Sequence, residues 1–175
     1  MSTPVEMWQT AAEGFDHRYR AITAAQWEAA TPCSEWNVHE LVTHAVGVQM
    51  SFGAPLGLTT PDGADWPTVR AAMDAVLAQP GATDGTGTHP AFGEVPKAML
   101  LGIATNDMLI HTWDLSRAIG ANEQLPDDLV SAAYQTLQQL PADVIRGPGR
   151  FAAPVDVDDG ADMQTKMLAF AGRKP

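Results

Sequence analysis

The sequence predicts an all-α protein built as a bundle of helices, and three observations lead to this fold class. Alanine, the residue with the highest helix propensity, occurs 28 times among the 175 residues. Apolar side chains recur at three- and four-residue spacing in at least five segments, as on the buried face of a helix. β-Branched and aromatic residues are scattered and do not alternate as they do in strands. The length suits one compact domain over residues 1–175.

The first helix is predicted to begin near Pro4, with Ser2 or Thr3 as its cap. Pro32 ends this helix, because the residue before a proline is pushed out of the helical region. Its predicted apolar face consists of Trp8, Ala12, Phe15, Tyr19 and Ile22.

The second and third helices follow good capping residues. Asn37 caps the second helix, predicted over residues 38–52, and Glu40 is placed to reach back to the amide of the cap. The third helix is predicted over residues 67–79, with Asp65 near its cap. The predicted apolar face of the second helix consists of Leu41, His44, Val48 and Phe52.

The rest of the chain contains one loop, one turn and three further helices. Residues 80–90 are rich in glycine and proline, which predicts a surface loop. Gly120 is a typical residue just past a helix end, and Pro141 kinks a helix or ends it early. A turn is predicted over residues 147–149. The three helices are predicted over residues 96–120, 126–145 and 161–171.

The charge and the apolar pattern exclude several classes of function. Ten Lys and Arg against 21 Asp and Glu give a formal net charge of −11, which argues against binding nucleic acid or an anionic membrane surface. No apolar run approaches the roughly 20 residues of a membrane span, and the first residues do not resemble a signal peptide. The single cysteine, Cys33, cannot form an internal disulfide. We therefore expect a soluble cytoplasmic protein.

Two histidines and one aspartate stand out as metal ligands. Asp107 lies four residues before His111, so both side chains project from one face of a helix. Asp107 also lies in a very apolar stretch, where a charge must be paired or coordinate a metal. His44 is the best third ligand from a facing helix, and two histidines with one carboxylate leave positions open for water or substrate. The alternatives are satisfied interior histidines, or a metal-free network of hydrogen bonds.

Other polar residues have weaker claims to a role. We expect Asp114, three residues after His111, to orient that histidine rather than to bind the ion; the alternative is a cap or an ion pair with Arg117. Cys33 is expected to pack as a small side chain, with a reactive thiol as the alternative. Trp36 and Trp113 belong to the core unless they line a pocket. The histidines set aside are His17 and His39, expected to be exposed, and His89, in the predicted loop.

Three segments resemble a known family. TPCSEWNVHELVTH, residues 31–44, resembles the TPC-x-x-W-x-V-x-x-L-x-x-H block of the DinB/YfiT-like superfamily. More closely, it resembles the metal-binding N-terminal domain of mycothiol-dependent maleylpyruvate isomerases. DMLIHTWDLSRAIG, residues 107–120, is similar to the H-x-W-D-L-A-x-A-x-G block of that domain. MLAFAGRKP, residues 167–175, resembles the L-A-x-x-G-R-x-P ending of a short subfamily.

The resemblance implies a four-helix bundle with additional short helices and a divalent metal ion, zinc first, with nickel or iron as alternatives. It implies that His44, Asp107 and His111 hold the ion, the same trio that the spacing selects. The isomerases carry glutamate where Asp107 stands, and they have a further C-terminal domain with residues needed for activity. The exact isomerase reaction is therefore not expected here.

Two functions follow, from different classes. The first is an enzyme that uses a low-molecular-weight thiol, namely mycothiol, bacillithiol or glutathione, in an isomerase or S-transferase reaction on a small electrophilic metabolite. The second is a non-catalytic metal-binding protein, a sensor or an interaction module. An enzyme needs a pocket at the metal that is large enough for a thiol and a substrate, whereas a closed site with four ligands would favour the non-catalytic protein. A homodimer is expected only by analogy with other helical bundles.

Overall fold

The computed structural model describes residues 2–146 and 151–175 and is mostly helical, as predicted. It also contains a two-stranded antiparallel sheet, which an all-α class does not include. The turn predicted over residues 147–149 lies outside the described residues. The elements are α1 (Pro4–Ala21), α2 (Val38–Gly53), α3 (Trp66–Leu77), β1 (Thr86–His89), β2 (Gly93–Pro96), α4 (Lys97–Ile119), α5 (Asp127–Gln139), α6 (Ala142–Ile145) and α7 (Met163–Phe170).

The chain divides into two compact units, Met1–Ala121 and Asn122–Pro175, which we describe separately. In the first unit, α4 packs against α1 and α2, and α3 also packs against α1 and α2. More than half of the residues of α4 are buried, so this long helix forms the centre of the unit. In the described part of the chain, no helix combines the length and the hydropathy that a membrane span needs.

The predicted starts of α1 and α2 are confirmed, because each depends on a local cap. The Thr3 hydroxyl accepts the Glu6 amide at 3.2 Å, and the Glu6 carboxylate accepts the Thr3 amide in return. Asn37 and Glu40 form the same reciprocal pair at the start of α2. At the C-terminal end of α4, Gly120 has a φ of 70°, the left-handed conformation that suits glycine after a helix.

The predicted end of the first helix is wrong. The helix ends at Ala21 because Ile22 is extended and Thr23 starts a separate 3₁₀ turn, Ala24–Gln26. The Gln26 side chain accepts the Thr23 amide at 3.0 Å and the Thr23 hydroxyl at 2.9 Å. This capping pair was present in the sequence as T-x-x-Q and ends the helix about ten residues before Pro32.

The surface loop predicted over residues 80–90 is right for residues 80–85 and wrong for residues 86–89, which form β1 and pair with β2 in a hairpin. Thr86 pairs with Pro96, and His89 pairs with Gly93. His89 is 6% exposed, and its ring stacks on that of Phe52 at 4.3 Å. The Ala91 amide donates a hydrogen bond to His89 Nδ1 at 3.2 Å. The proton of the neutral ring is therefore on Nε2, which donates a hydrogen bond to Ser51 Oγ at 3.0 Å. Burial lowers the pKa of His89.

The core of the first unit is held together by a buried amide as well as by apolar packing. Gln49 is completely buried; it accepts a hydrogen bond from Trp8 Nε1 at 2.9 Å and donates one to the Ala104 carbonyl at 3.0 Å. It therefore links α1, α2 and α4.

The buried face of α2 differs from the predicted apolar face. The buried residues of this helix are Val38, Leu41, Val42, Ala45, Val46, Gln49 and Gly53, whereas His44, Val48 and Phe52 are half-buried at its edge.

The second unit is built on the packing of α5 against α7. The predicted helix over residues 126–145 is interrupted at Pro141, and α6 follows as a separate short helix. The Arg146 guanidinium donates to the carbonyls of Ala152 and Phe170. Gly172 has a φ of 83°, and a Cβ there would lie 2.8 Å from that of Ala152, so the ending of the chain requires glycine at this position.

Candidate metal centre

Three side chains from α2 and α4 converge between these two helices. His44 projects from α2, while Asp107 and His111 lie one turn apart on α4. His44 Nε2 lies 3.5 Å from Asp107 Oδ1, and His111 Nε2 lies 3.6 Å from the same oxygen. One potential ligand atom from each residue lies within 4.8 Å of the other two. The structure thus brings together the three residues that the sequence selected.

The separations suit ligands of a shared ion better than direct hydrogen bonds. Good N–H···O hydrogen bonds measure about 2.7–3.2 Å, so both contacts to Asp107 are too long. Two ligand atoms that each lie about 2.1 Å from a tetrahedral ion are about 3.4 Å apart, close to the observed distances. The other oxygen, Asp107 Oδ2, is buried and has no hydrogen-bond partner among the described residues. A buried carboxylate oxygen without a donor is costly, so the donor set fits a divalent cation.

The charges at the site favour an ionised carboxylate. Burial by itself raises the pKa of Asp107, but the nearby imidazoles of His111 and His44 outweigh it and hold the pKa well below its usual range. For His111, burial by itself lowers the pKa. The charge of Asp107, together with hydrogen bonds to Asp107, Asp114 and Cys33, outweighs that effect, so the pKa is raised. Without a metal, the pair is thus stabilised as a carboxylate beside an imidazolium.

Asp114, which the sequence predicts to orient His111, contacts that histidine. His111 Nδ1 and Asp114 Oδ2 are 2.9 Å apart, and the carboxylate is completely buried while the imidazole is 3% exposed. Because Nδ1 is engaged with this carboxylate, Nε2 faces Asp107 and is the nitrogen available to a ligand.

The loop before α2 covers the site with two residues whose role the sequence did not resolve. The ring of Trp36 lies 4.5 Å from that of His44 and 5.9 Å from that of His111. Cys33 Sγ lies 3.4 Å from Asp114 Oδ2, so the thiol contacts the carboxylate that orients His111. The contacts of Trp36 with His111 and of Cys33 with Asp114 join residues that are far apart in sequence, and no local spacing signals them. Only the TPC-x-x-W resemblance sets this loop apart.

The remaining candidates lie away from this centre. Trp113 is 1% exposed and belongs to the core, and the guanidinium of Arg117 lies over its ring at 4.1 Å. His17 and His39 are exposed, as expected. His89 is buried in the hairpin, contrary to its expected place in a loop.

A family model and two curated proteins are similar to this chain. The mycothiol maleylpyruvate isomerase N-terminal domain model matches residues 8–71, a segment that contains Cys33 and His44 but ends before Asp107. Two uncharacterized proteins of Mycobacterium tuberculosis, MT0763 of strain CDC 1551 and Rv0738 of strain H37Rv, are each 31% identical over 97% of this chain and 97% of their own length.

Among solved structures, the chain is similar to a mutant of the mycothiol-dependent maleylpyruvate isomerase. The TM-score is 0.56, with 13% sequence identity over 84% of this chain and 76% of the isomerase chain. At this identity the likeness concerns the fold.

Proposed function

This chain belongs to one family with the two M. tuberculosis proteins, and from that premise we propose that it binds a divalent metal ion and uses mycothiol as a cosubstrate. The reaction is an isomerisation or S-transfer on a small electrophilic metabolite. The proposal includes a four-helix bundle of the DinB type, formed by α1–α4 with additional short helices. It also includes zinc as the first choice of metal, with nickel or iron as alternatives, and a cytoplasmic location. The family model and the isomerase fold support the thiol.

The observation that best supports metal binding is the spacing of the three donors around a buried oxygen without a partner among the described residues. His44 Nε2 and His111 Nε2 each lie about one ligand-to-ligand distance from Asp107 Oδ1, at 3.5 and 3.6 Å. Asp107 Oδ2 is buried without a donor among the described residues. Two histidines and one carboxylate suit zinc, iron or nickel, and three protein ligands are the number that catalytic sites use.

The residues around the centre have separable tasks. Asp114 holds His111 in the tautomer with Nδ1 protonated, so that Nε2 is free to bind. Trp36 lies against both imidazoles and shields that side of the site from water. A bound divalent cation lowers the pKa of a thiol and favours the nucleophilic thiolate. His44 is partly exposed, with 27% of its side chain accessible, so a small molecule can reach this side of the centre.

Metal content and metal affinity test the proposal. The untagged protein should contain close to one equivalent of metal by mass spectrometry of the elements. His44→Ala, Asp107→Asn and His111→Ala should each lose most of it, because each removes one of three ligands. His39→Ala and Asp74→Asn change a histidine and an aspartate elsewhere in the same unit and should retain full occupancy. Circular dichroism of each variant confirms that the affinity is measured on folded protein.

Two results would contradict the proposal in different ways. A metal-free wild type that also binds no added zinc, nickel or iron would overturn the metal centre. Full metal occupancy with no consumption of mycothiol against a panel of small electrophiles would instead favour the non-catalytic metal-binding protein.

A further inference from the structure

One carboxylate oxygen serves both the metal centre and the loop that covers it. Asp114 Oδ2 is 2.9 Å from His111 Nδ1 and accepts a hydrogen bond from Cys33 Sγ at 3.4 Å. The carboxylate is completely buried, so its orientation depends on the donors around it. From the sequence, Cys33 is expected to pack as a small side chain, whereas in the structure its thiol contacts Asp114, the neighbour of a proposed ligand.

The backbone of the loop fixes the position of this thiol. The Cys33 amide donates to the Thr31 hydroxyl at 3.1 Å, and that hydroxyl donates to the Trp36 carbonyl at 2.8 Å. The Trp36 amide donates in turn to the Cys33 carbonyl at 2.8 Å. These bonds place the Cys33 thiol on Asp114 and the Trp36 ring on His44 in one rigid turn. The loop therefore contacts both of the histidines that we assign to the metal through the Trp36 ring, and it reaches His111 a second time through Cys33 and Asp114.

We propose that Cys33 is a positioning residue of the metal centre, acting on His111 through Asp114. Its S–H is a second donor to Asp114 Oδ2 and keeps the carboxylate in the orientation that binds His111 Nδ1. Without this donor, the buried oxygen loses part of its stabilisation and His111 Nε2 is less firmly directed towards the ion. The inference rests on the proposed function, since it concerns the same metal.

Two alternative roles of Cys33 have different consequences. Cys33, His111 and Asp114 also have potential ligand atoms within 4.8 Å of one another, so a thiolate ligand to an ion is one alternative. A packing residue without any polar role is the other. A hydroxyl in place of the thiol keeps a donor but makes a poor ligand for a soft ion, whereas a methyl group keeps neither property. Serine and alanine substitutions therefore separate all three roles.

The test is the dissociation constant for Co²⁺ and Zn²⁺, measured by competition with a chelator. It is compared among the wild type, four single variants and one double variant, namely Cys33→Ala, Cys33→Ser, Ser34→Ala, Asp114→Asn and Asp114→Asn/Cys33→Ala. We expect Cys33→Ala to weaken binding about 2- to 10-fold, the worth of one hydrogen bond, and Cys33→Ser to remain within about 2-fold of the wild type. Ser34→Ala, the adjacent exposed residue, is the matched control and should equal the wild type. In an Asp114→Asn background, Cys33→Ala should cause no further loss, because the effect passes through that carboxylate.

Spectroscopy completes the test. The Co²⁺-loaded wild type should lack a thiolate-to-cobalt charge-transfer band, and circular dichroism should show that each variant is folded when its affinity is measured. Unchanged affinity of Cys33→Ala, equal losses for serine and alanine, a charge-transfer band, or additive losses in the Asp114→Asn background would each overturn the positioning role. These results leave the metal centre intact, whereas a wild type that binds neither ion overturns the proposed function and this inference together.

Discussion

Asp107 is the residue on which the electrostatics of this centre depend. Its Oδ1 lies near two imidazoles, and its Oδ2 is buried without a donor among the described residues. Its charge is the main cause that raises the pKa of His111 against the effect of burial. The carboxylate thus prepares the site for a cation, whether that cation is a proton shared with His111 or a metal.

The metal-free protein should therefore lose stability as the pH rises. The pKa of His111 is raised by folding, so its contribution to the free energy of unfolding is full below about 6.5, the unfolded value, and is lost as the pH rises through the folded pKa. The slope approaches about 1.4 kcal/mol per pH unit in this range. Asp107 contributes in the opposite sense, since its lowered pKa gives stability that is present above about 3.9 and lost in stronger acid.

Urea unfolding with a chelator present, from pH 5 to 9, measures this effect. Asp107→Asn removes the charge that raises the pKa of His111, so the stability advantage of the wild type over this variant should shrink above about pH 6.5. If the difference between the two proteins stays constant across the range, the assigned coupling is wrong.

Substitution of Asp114 should affect the metal less than substitution of a ligand. Asp114→Asn should lower metal affinity by roughly 10- to 100-fold, as is typical for groups that orient a ligand. His39→Ala, one of the exposed histidines, should change nothing. Titration with zinc, with a competing chelator, gives both values, and a larger loss for Asp114→Asn than for Asp107→Asn would reverse the assignment.

Residue spacing could predict the three candidate ligands because two of them lie one turn apart on α4 and the third lies in a capped helix. It could not predict the contacts of Cys33 and Trp36, which depend on where the loop before α2 folds against α4. Gln49 was missed for a related reason: a polar residue on a buried face has no signal in an apolar pattern, and its partners come from α1 and α4.

At the scale of elements, the hairpin shows the limit of local patterns. The strands of the hairpin lack apolar alternation. Its position depends on contacts with α2 and with the 3₁₀ turn Ala54–Leu56, which follows α2. Gly87 packs so closely on Pro55 that a Cβ would lie 2.8 Å from the Pro55 Cβ. By contrast, the starts of α1 and α2 depend on capping pairs that are complete within four residues, so they could be predicted from the sequence.

A pair of glycine substitutions tests the packing of the hairpin. Gly87→Ala should destabilise the protein by about 1–3 kcal/mol, because the added methyl group overlaps Pro55. Gly47→Ala, inside α2 and with nothing within 4 Å of the added Cβ, should stabilise it by about 1 kcal/mol through helix propensity. Urea midpoints give both values. Equal effects of the two substitutions would mean that the hairpin does not pack on Pro55.

At the scale of the whole molecule, the first unit contains every residue of the proposed centre. The three proposed ligands come from α2 and α4, and the loop before α2 supplies Cys33 and Trp36. The single domain over residues 1–175 and the homodimer stay predictions. Thiol binding at the proposed centre can be measured directly on this chain.

Mycothiol should stabilise the metal-loaded protein and leave the metal-free protein unchanged. A ligand that binds only the folded state adds about 2.7 kcal/mol to the free energy of unfolding at a hundredfold excess over its dissociation constant. Denaturant unfolding with and without metal measures the gain, and mycothiol with a methylated sulfur is the control, because it keeps the sugar groups but cannot supply a thiolate. The stabilisation should require both the metal and the free thiol. An equal gain in metal-loaded and metal-free protein would place the thiol elsewhere, and no gain at millimolar thiol would favour a metal-binding protein without thiol chemistry.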